Sequence, residues 1–466
     1  MKNDTLAGII LSVYTIVALL VACFFDGTGD AGDSVLHFLY AKYAPIQPEL
    51  YFDHWAKPVF VLLASPFAQF GFFGMKVFNI LVTAASVFLT YKIAQKLELK
   101  NAPLVLLFSI FAPTAFVLTF SGLTEPLFAL FLAAGIYAAL CDRYFWAAII
   151  ISFLPFVRSE GLIIIGVFGF YFLLKKQLKM LPVLSVGHVV YSIAGYFVFN
   201  ELLWVFTRIP YQRLSSIYGS GDLLHFAEQL VNIIGVPAYV LFWAGVLAVL
   251  VQTVHRRVSL DYFLLIYTLF FAYFIAHSLF WYLGIFNSMG LTRVLIAVLP
   301  VISIIVLTGF NRLTGLIPPK KTKIKRIVQG LIMAYVLVFP FTQNPAAVKW
   351  ETDLLLAGDQ KAILKIADFV REDIGLQQRF VFNHPYLSEA LDINHFDWNR
   401  HVGLRTDYLD RIESRDIIVW DSWFSVVQEN IDKADIEQHP GLEKIYEVRE
   451  IWKGREVEFL VFRKKE

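Results

Sequence analysis

The feature that most constrains this chain is a succession of long apolar runs filling residues 1 to 343. They fall at 6–25, 76–95, 102–119, 124–141, 144–157, 161–174, 181–200, 233–252, 260–283, 291–310 and 327–343. A helix needs about 20 apolar residues to cross the hydrocarbon core, so the pattern predicts eleven transmembrane helices. Two of them, 144–157 and 161–174, are short and are expected to tilt or kink. The stretch 58–74 is also apolar, but Pro58, Pro66, Gly71 and Gly74 interrupt it, and it reads as an interfacial segment. The sequence has no internal repeat.

Composition narrows the class further. Hydrophobic residues make up 58% of the chain and charged residues only 17%, against roughly 45–50% and 25% in soluble domains. That balance excludes a soluble enzyme, a disordered protein and a nucleic-acid binder dominated by basic charge. The charges are also unevenly placed. Residues 350–466 carry 16 of the 40 basic and 24 of the 38 acidic residues, a net charge of −8, which leaves +10 on residues 1–349. The expected organisation is a transmembrane domain over 1–343 and a soluble, acidic α/β domain over 344–466. Cys23 and Cys141, the only cysteines, cannot form a disulfide framework and read as small apolar fillers.

Basic residues orient the helices. With the N-terminus in the cytoplasm, Lys2, Lys92, Lys96, Lys100, Arg143, Lys175, Lys176, Lys179, Arg256, Arg257, Arg312 and the run from Lys320 to Arg326 all lie inside. An odd number of crossings then places the C-terminal domain outside the cytoplasm. Residues 6–25 read as a retained signal anchor.

The chemistry is expected in the outer loops. Residues 26–57 form the most charged of them, with Asp26, Asp30, Asp33, Glu49, Asp53, His37, His54, Lys42 and Lys57. Asp33, His37 and Tyr40 share one face of a helix able to lie along the membrane surface. Glu125, Arg158, Glu160 and Arg293 fall at outer helix ends, where charges are costly unless they pair or line a polar cavity. The loop 201–232, with Glu201, Arg208, Tyr211, Arg213, Tyr218, Asp222 and His225, has the mixed content of a lid or an acceptor contact.

Several of these segments resemble the GT-C glycosyltransferases, in particular the protein O-mannosyltransferases and the bacterial lipid A aminoarabinose transferases. The first is Gly32-Asp33-Ser34-Val35-Leu36-His37-Phe38-Leu39-Tyr40-Ala41, with Ser34 where that family commonly has Glu. The second is Tyr51-Phe52-Asp53-His54-Trp55-Ala56-Lys57-Pro58, in which three residues separate the acid from the lysine. Ser121-Gly122-Leu123-Thr124-Glu125-Pro126, Phe156-Val157-Arg158-Ser159-Glu160-Gly161, with Ser159 where proline is usual, and Gly290-Leu291-Thr292-Arg293-Val294-Leu295 follow in the expected order. The likeness covers roughly residues 1–310.

The resemblance implies a polytopic inner-membrane enzyme that moves a sugar from a polyprenyl-phosphate donor to a glycan, lipid or protein acceptor, with inversion. Asp33 is the expected general base. Lys57, Arg158 and Arg293 are expected to hold the donor phosphate, and His37, Asp53, His54, Glu125 and Glu160 to bind substrate. No cofactor is implied, although Asp26, Asp30 and Asp53 are carboxylates of the kind that hold a divalent cation. Besides the donor and acceptor, membrane lipids are the expected partners, and nucleic acid is not. The competing reading is a lipid or solute transporter with a periplasmic domain. Transporters place charged binding groups near the bilayer midplane on broken helices, whereas these charges lie in the outer loops.

In the tail, 359–373 reads as an amphipathic helix, Phe380–Phe382 and Ile417–Trp420 as strands, and Ile445–Ile451 with Val457–Phe462 as a hairpin through Lys453-Gly454-Arg455. His384 and Asp421 lie just past two strands, where open sheets often place binding groups.

Overall fold

The protein is described here from a computed structural model covering residues 2–210, 216–254, 258–409, 411–452 and 454–465. Tyr211, Arg213, Arg256, Arg257 and Lys453 lie outside the described residues.

Among the described residues, six helices are long and apolar enough to cross a membrane: Asn3–Phe24, Gly71–Lys96, Leu178–Phe199, Leu260–Leu283, Thr292–Gly315 and Pro319–Phe341. Shorter apolar helices occupy Pro58–Ala68, Glu125–Leu140, Tyr144–Phe156, Gly161–Leu174 and Val236–Val251. The expected span 102–119 is not one helix. It breaks into Leu104–Ile110 and Pro113–Leu118, with Ala112 extended between them. Pro113 has no N–H to donate and disfavours a helical residue before it, so the apolar run cannot stay helical across that point. The segment 58–74 divides too. Pro58–Ala68 (α3) is a separate helix, and Gly71, at φ +70, turns the chain into the helix Gly71–Lys96 (α4).

Between the first helix, Lys2–Phe24 (α1), and α3 lies the surface helix Asp33–Tyr43 (α2), which buries Val35, Phe38, Leu39 and Ala41 against the bundle. It is followed by a 3-10 turn, Pro48–Phe52.

The C-terminal region forms a five-stranded sheet in the order β2-β1-β3-β5-β4, with Arg379–Phe382 (β1), His401–Val402 (β2), Asp416–Asp421 (β3), Leu442–Trp452 (β4) and Arg455–Lys464 (β5). β1, β2 and β3 run parallel, while β5 pairs antiparallel with both β3 and β4. Side chains alternate across a strand, so each strand feeds two cores. Phe380, Phe382, Ile417 and Val419 pack under the helix Gly358–Phe369, while Val381, Ile418 and Trp420 face Leu404, Ile431 and Ile436.

The loop after α1 is held between the helices and the sheet. The Gly27 amide donates to the Leu354 carbonyl at 2.8 Å, Gln360 donates to Thr28 Oγ1 at 3.1 Å, and Lys42 pairs with Glu389 at 3.0 Å.

Candidate active site

Asp33 opens α2, and its side chain is 45% exposed. The preceding turn is fixed by Asp30, whose Oδ1 accepts the amides of Gly32 at 3.0 Å and Ser34 at 3.3 Å. Ser34 is fully buried and locks this turn to the next outer loop: its hydroxyl donates to the Thr28 carbonyl at 2.7 Å and accepts the Gly122 amide at 2.6 Å. Gly122 has to be glycine here, since a Cβ would lie 2.5 Å from the Ser34 carbonyl oxygen.

That second loop brings in Glu125, the first residue of the helix Glu125–Leu140, where a carboxylate suits the positive helix end. Glu125 has no exposed surface and sits between two arginines: Arg158 Nη1 lies 2.8 Å from its Oε1 and Arg293 Nε 3.4 Å. Arg158 continues to Glu160 at 2.8 Å and to Thr124 Oγ1 at 3.0 Å. Arg293 reaches Asp30 at 2.7 Å and also pairs with Asp33. The four loop segments thus converge on one chain of charges, Glu160–Arg158–Glu125–Arg293–Asp33, with Asp33 at its exposed end.

Lys57 joins the cluster from the loop between α2 and α3. It is 7% exposed, held at φ +68, and its Nζ donates to the His54 carbonyl at 3.1 Å and to Ser159 Oγ at 3.3 Å. Burial, reinforced by Arg158, pushes its ammonium down to about 8, against the pull of Glu160, Asp53 and Asp33. Burial by itself would raise the Glu160 carboxyl, but Arg158, with His277 and Lys57, holds it at about 2. His37 is buried one turn beyond Asp33, its ring stacked on Trp55 at 4.8 Å. Burial, together with Lys57, Arg293 and Arg158, keeps it well below the ordinary imidazole range and therefore neutral.

Not every expected site residue reaches the arginines. Asp53 accepts the Ala56 amide at 2.9 Å and the Tyr40 hydroxyl at 3.3 Å, shaping the turn that presents Lys57. His54 packs on Trp204 at 4.9 Å, and burial lowers it to about 4. The three carboxylates noted as possible cation ligands are not gathered together. Asp26 accepts the Leu356 amide at 3.2 Å, Asp30 serves α2 and Arg293, and Asp53 closes its own turn.

Sequence reading missed Tyr273, His277 and Ser278, which are buried on the helix Leu269–Leu283. His277 Nε2 lies 4.0 Å from Glu160. Polar residues at i and i+4 inside a span were the available signal. It also missed Phe424. A Cβ on Gly32 would come within 3.0 Å of its ring, and the ring packs edge-on against His384 at 5.0 Å. His384 pairs with Asp359 at 3.2 Å, and Asp421 accepts the amides of Trp423 and Phe424. Both residues therefore shape the turn that meets α2. In the loop 201–232, Gln428 donates to the Tyr218 hydroxyl at 3.4 Å, and His225 bonds the Gly290 carbonyl at 2.7 Å, three residues before Arg293.

Neither a protein-family model nor a curated protein matches the sequence. Solved structures do match the fold. ArnT from Cupriavidus metallidurans bound to undecaprenyl phosphate is 12% identical, with 97% of each chain covered and a TM-score of 0.62. The same protein in the apo state gives 12%, 97% and 0.61. This chain therefore shares the fold of that ArnT, a bundle of apolar helices completed by a small C-terminal sheet domain.

Proposed function

We propose that this protein is a membrane glycosyltransferase of the GT-C type, transferring a sugar from a polyprenyl-phosphate donor to an acceptor hydroxyl at the extracytoplasmic face of the inner membrane. The observation that carries the reading is the charge chain that ends on Asp33. It offers a partly exposed carboxylate beside two deeply set guanidinium groups and a buried ammonium. The undecaprenyl phosphate bound by the ArnT of the same fold supports the donor class.

In this reading Arg293, Arg158 and Lys57 take the donor phosphate, because guanidinium groups bind phosphate oxygens in bidentate fashion. Arg293 is already engaged by Asp30 and Asp33. A phosphate arriving at Arg293 competes with these carboxylates and releases Asp33 to face the acceptor. Asp33 then takes the hydroxyl proton as the acceptor oxygen bonds to the anomeric carbon. The bond from that carbon to the phosphate oxygen breaks, and its electron pair leaves on polyprenyl phosphate. The arginines and Lys57 offset the growing charge. A single displacement inverts the anomeric centre.

The test is release of polyprenyl phosphate from a panel of polyprenyl-phosphate sugars by the purified protein, with and without a chelator. Turnover of one donor, indifferent to chelator and reduced roughly 10²- to 10⁴-fold in Asp33→Asn, is the expected result for loss of a general base. Unchanged turnover in Asp33→Asn would remove Asp33 from the role and leave Glu125 as the carboxylate to test.

A further inference from the structure

A pocket with a buried cation on its wall lies outside the charge chain. The ends of α1 and α4 border an open pocket of about 310 Å³ lined by Cys23, Phe25, Asp26, Phe72, Phe73 and Lys76. Neither Asp33 nor any of the arginines takes part in it. Lys76 is 4% exposed, and its Nζ donates to the Phe25 carbonyl at 2.6 Å. Among the described residues this is its only hydrogen bond, and no carboxylate lies within 4.0 Å of it. An ammonium has three donors and is costly to bury without an opposite charge. Asp26 lines the same pocket; its Oδ1 accepts the Leu356 amide, and its Oδ2 has no hydrogen bond among the described residues. The surface beside the pocket is apolar and open: Phe24 is 80% exposed, Phe70 77% and Phe73 44%. All of this sits at the ends of two helices suited to span a membrane, where aromatic side chains meet lipid headgroups.

We propose that this pocket binds the headgroup of a zwitterionic, amine-bearing phospholipid of the phosphoethanolamine type. The phosphate takes the free donors of Lys76, the lipid ammonium takes Asp26, and the acyl chains run along Phe24, Phe70 and Phe73. Asp26 gives this pocket a carboxylate with an unbonded oxygen for a cationic group, and a site for a free soluble ion would not open onto exposed phenylalanines. The bound lipid ties the end of α1 to α4 just ahead of the turn that carries Asp30 and Asp33. One turn along α4, Asn79 holds the Ser121 and Leu123 carbonyls beside Glu125.

The test is native mass spectrometry of the full-length protein released from detergent, titrated with phosphatidylethanolamine, phosphatidylglycerol, phosphatidylcholine or inorganic phosphate. The wild type is expected to retain phosphatidylethanolamine over the other lipids. Lys76→Met is expected to weaken that retention about tenfold, the size of one charge-assisted hydrogen bond, while Lys76→Arg keeps it. Asp26→Asn is expected to erase the preference over phosphatidylglycerol while phosphatidylglycerol binding stays. Equal retention by wild type and Lys76→Met would reduce Lys76 to a cap on the end of α1 and overturn the proposal. So would a wild-type preference for phosphatidylglycerol, or displacement of the lipid by millimolar phosphate. If Lys76→Met does not fold, Asp26→Asn and Lys76→Arg carry the same decision. No readout depends on sugar transfer, so failure here and failure of the glycosyltransferase reading are separate results.

Discussion

Two buried arginine–carboxylate systems in this molecule use the same groups to opposite ends. In the sheet domain Arg379 clamps Asp416 with two bonds of 2.7 and 3.0 Å, and Asp416, with no exposed surface, also accepts the Tyr408 hydroxyl at 2.9 Å and the Glu413 amide at 2.8 Å. Both oxygens of that carboxylate are bonded, Oδ1 once and Oδ2 three times. In the charge chain, Glu125 is just as buried, yet neither of its oxygens has a hydrogen-bond donor in line among the described residues. Arg158 Nε, Arg293 Nε and His37 Nδ1 are likewise unmatched. A buried ion pair gives little net stability even when saturated, and an unsaturated one is a cost. The first system fits a role in holding strands together. The second leaves bonding capacity unused, which fits the ligand site proposed above.

The comparison breaks most directly by cutting both systems. Asp416→Ala leaves Arg379 buried without its partner and is expected to cost about 3–5 kcal/mol of sheet-domain stability. Hydrogen exchange at the amides of Val419 and Phe462 reads that loss, and turnover per folded molecule should not change. Arg293→Ala should do the reverse. Turnover falls about 10²- to 10³-fold, the effect of removing one preorganised charge from a reacting phosphate. The melting temperature moves less than in Asp416→Ala, because Asp30 and Asp33 are exposed enough to rehydrate and buried Glu125 keeps Arg158. If Arg293→Ala unfolds the protein while Asp416→Ala leaves it stable, saturation has no bearing on role.

A smaller effect tests how the turn at Asp33 is built. The family pattern that this sequence resembles commonly has Glu where Ser34 stands. Ser34 is enclosed by the Thr28 carbonyl and the Gly122 backbone, with no exposed surface. Ser34→Glu overpacks this point and is expected to cost about 1–3 kcal/mol in thermal unfolding. A stable Ser34→Glu protein would mean that the turn is loose, and that Asp33 is positioned by Arg293 alone.

The same turn shows how much was legible in the sequence. Asp33, Glu125, Arg158 and Arg293 stood out because so few charges occur in an apolar chain that each one at a helix end calls for a partner. β1 and β3 were visible as short apolar runs and the closing hairpin from alternation, whereas β2, only two residues long, left no such signal. The break at Ala112 was not, since hydropathy alone does not register that Pro113 removes a donor. The departures from the family pattern hid their meaning as well. Ser159 accepts from Lys57, the His54 carbonyl holds the same ammonium, Trp55 stacks on His37, and the Ala56 amide closes the turn at Asp53. Each makes a contact between separate segments or closes a turn. Such contacts leave no periodic trace. Phe424 was out of reach for the same reason, because only the folded sheet domain sets its ring against Gly32.

Lys57 sharpens the comparison last, through pH. Its ammonium is lowered to about 8 by burial, whereas Arg158 and Arg293 stay charged across any working range. A lysine lowered from about 10.4 when unfolded destabilises the fold most below pH 8, and that cost is relieved as pH rises toward 10.4, by on the order of 3 kcal/mol. Stability should therefore climb between pH 8 and 10.4, and Lys57→Met should flatten the climb. Donor binding should move the opposite way, because the cation that meets the phosphate is lost above pH 8. KM for the donor is expected to rise about tenfold per pH unit there while kcat changes little, and Lys57→Arg should abolish the inflection. A lysine kept only for packing would show the rise in stability without the loss of binding. The two trends together separate a group that the fold tolerates from one that the ligand needs.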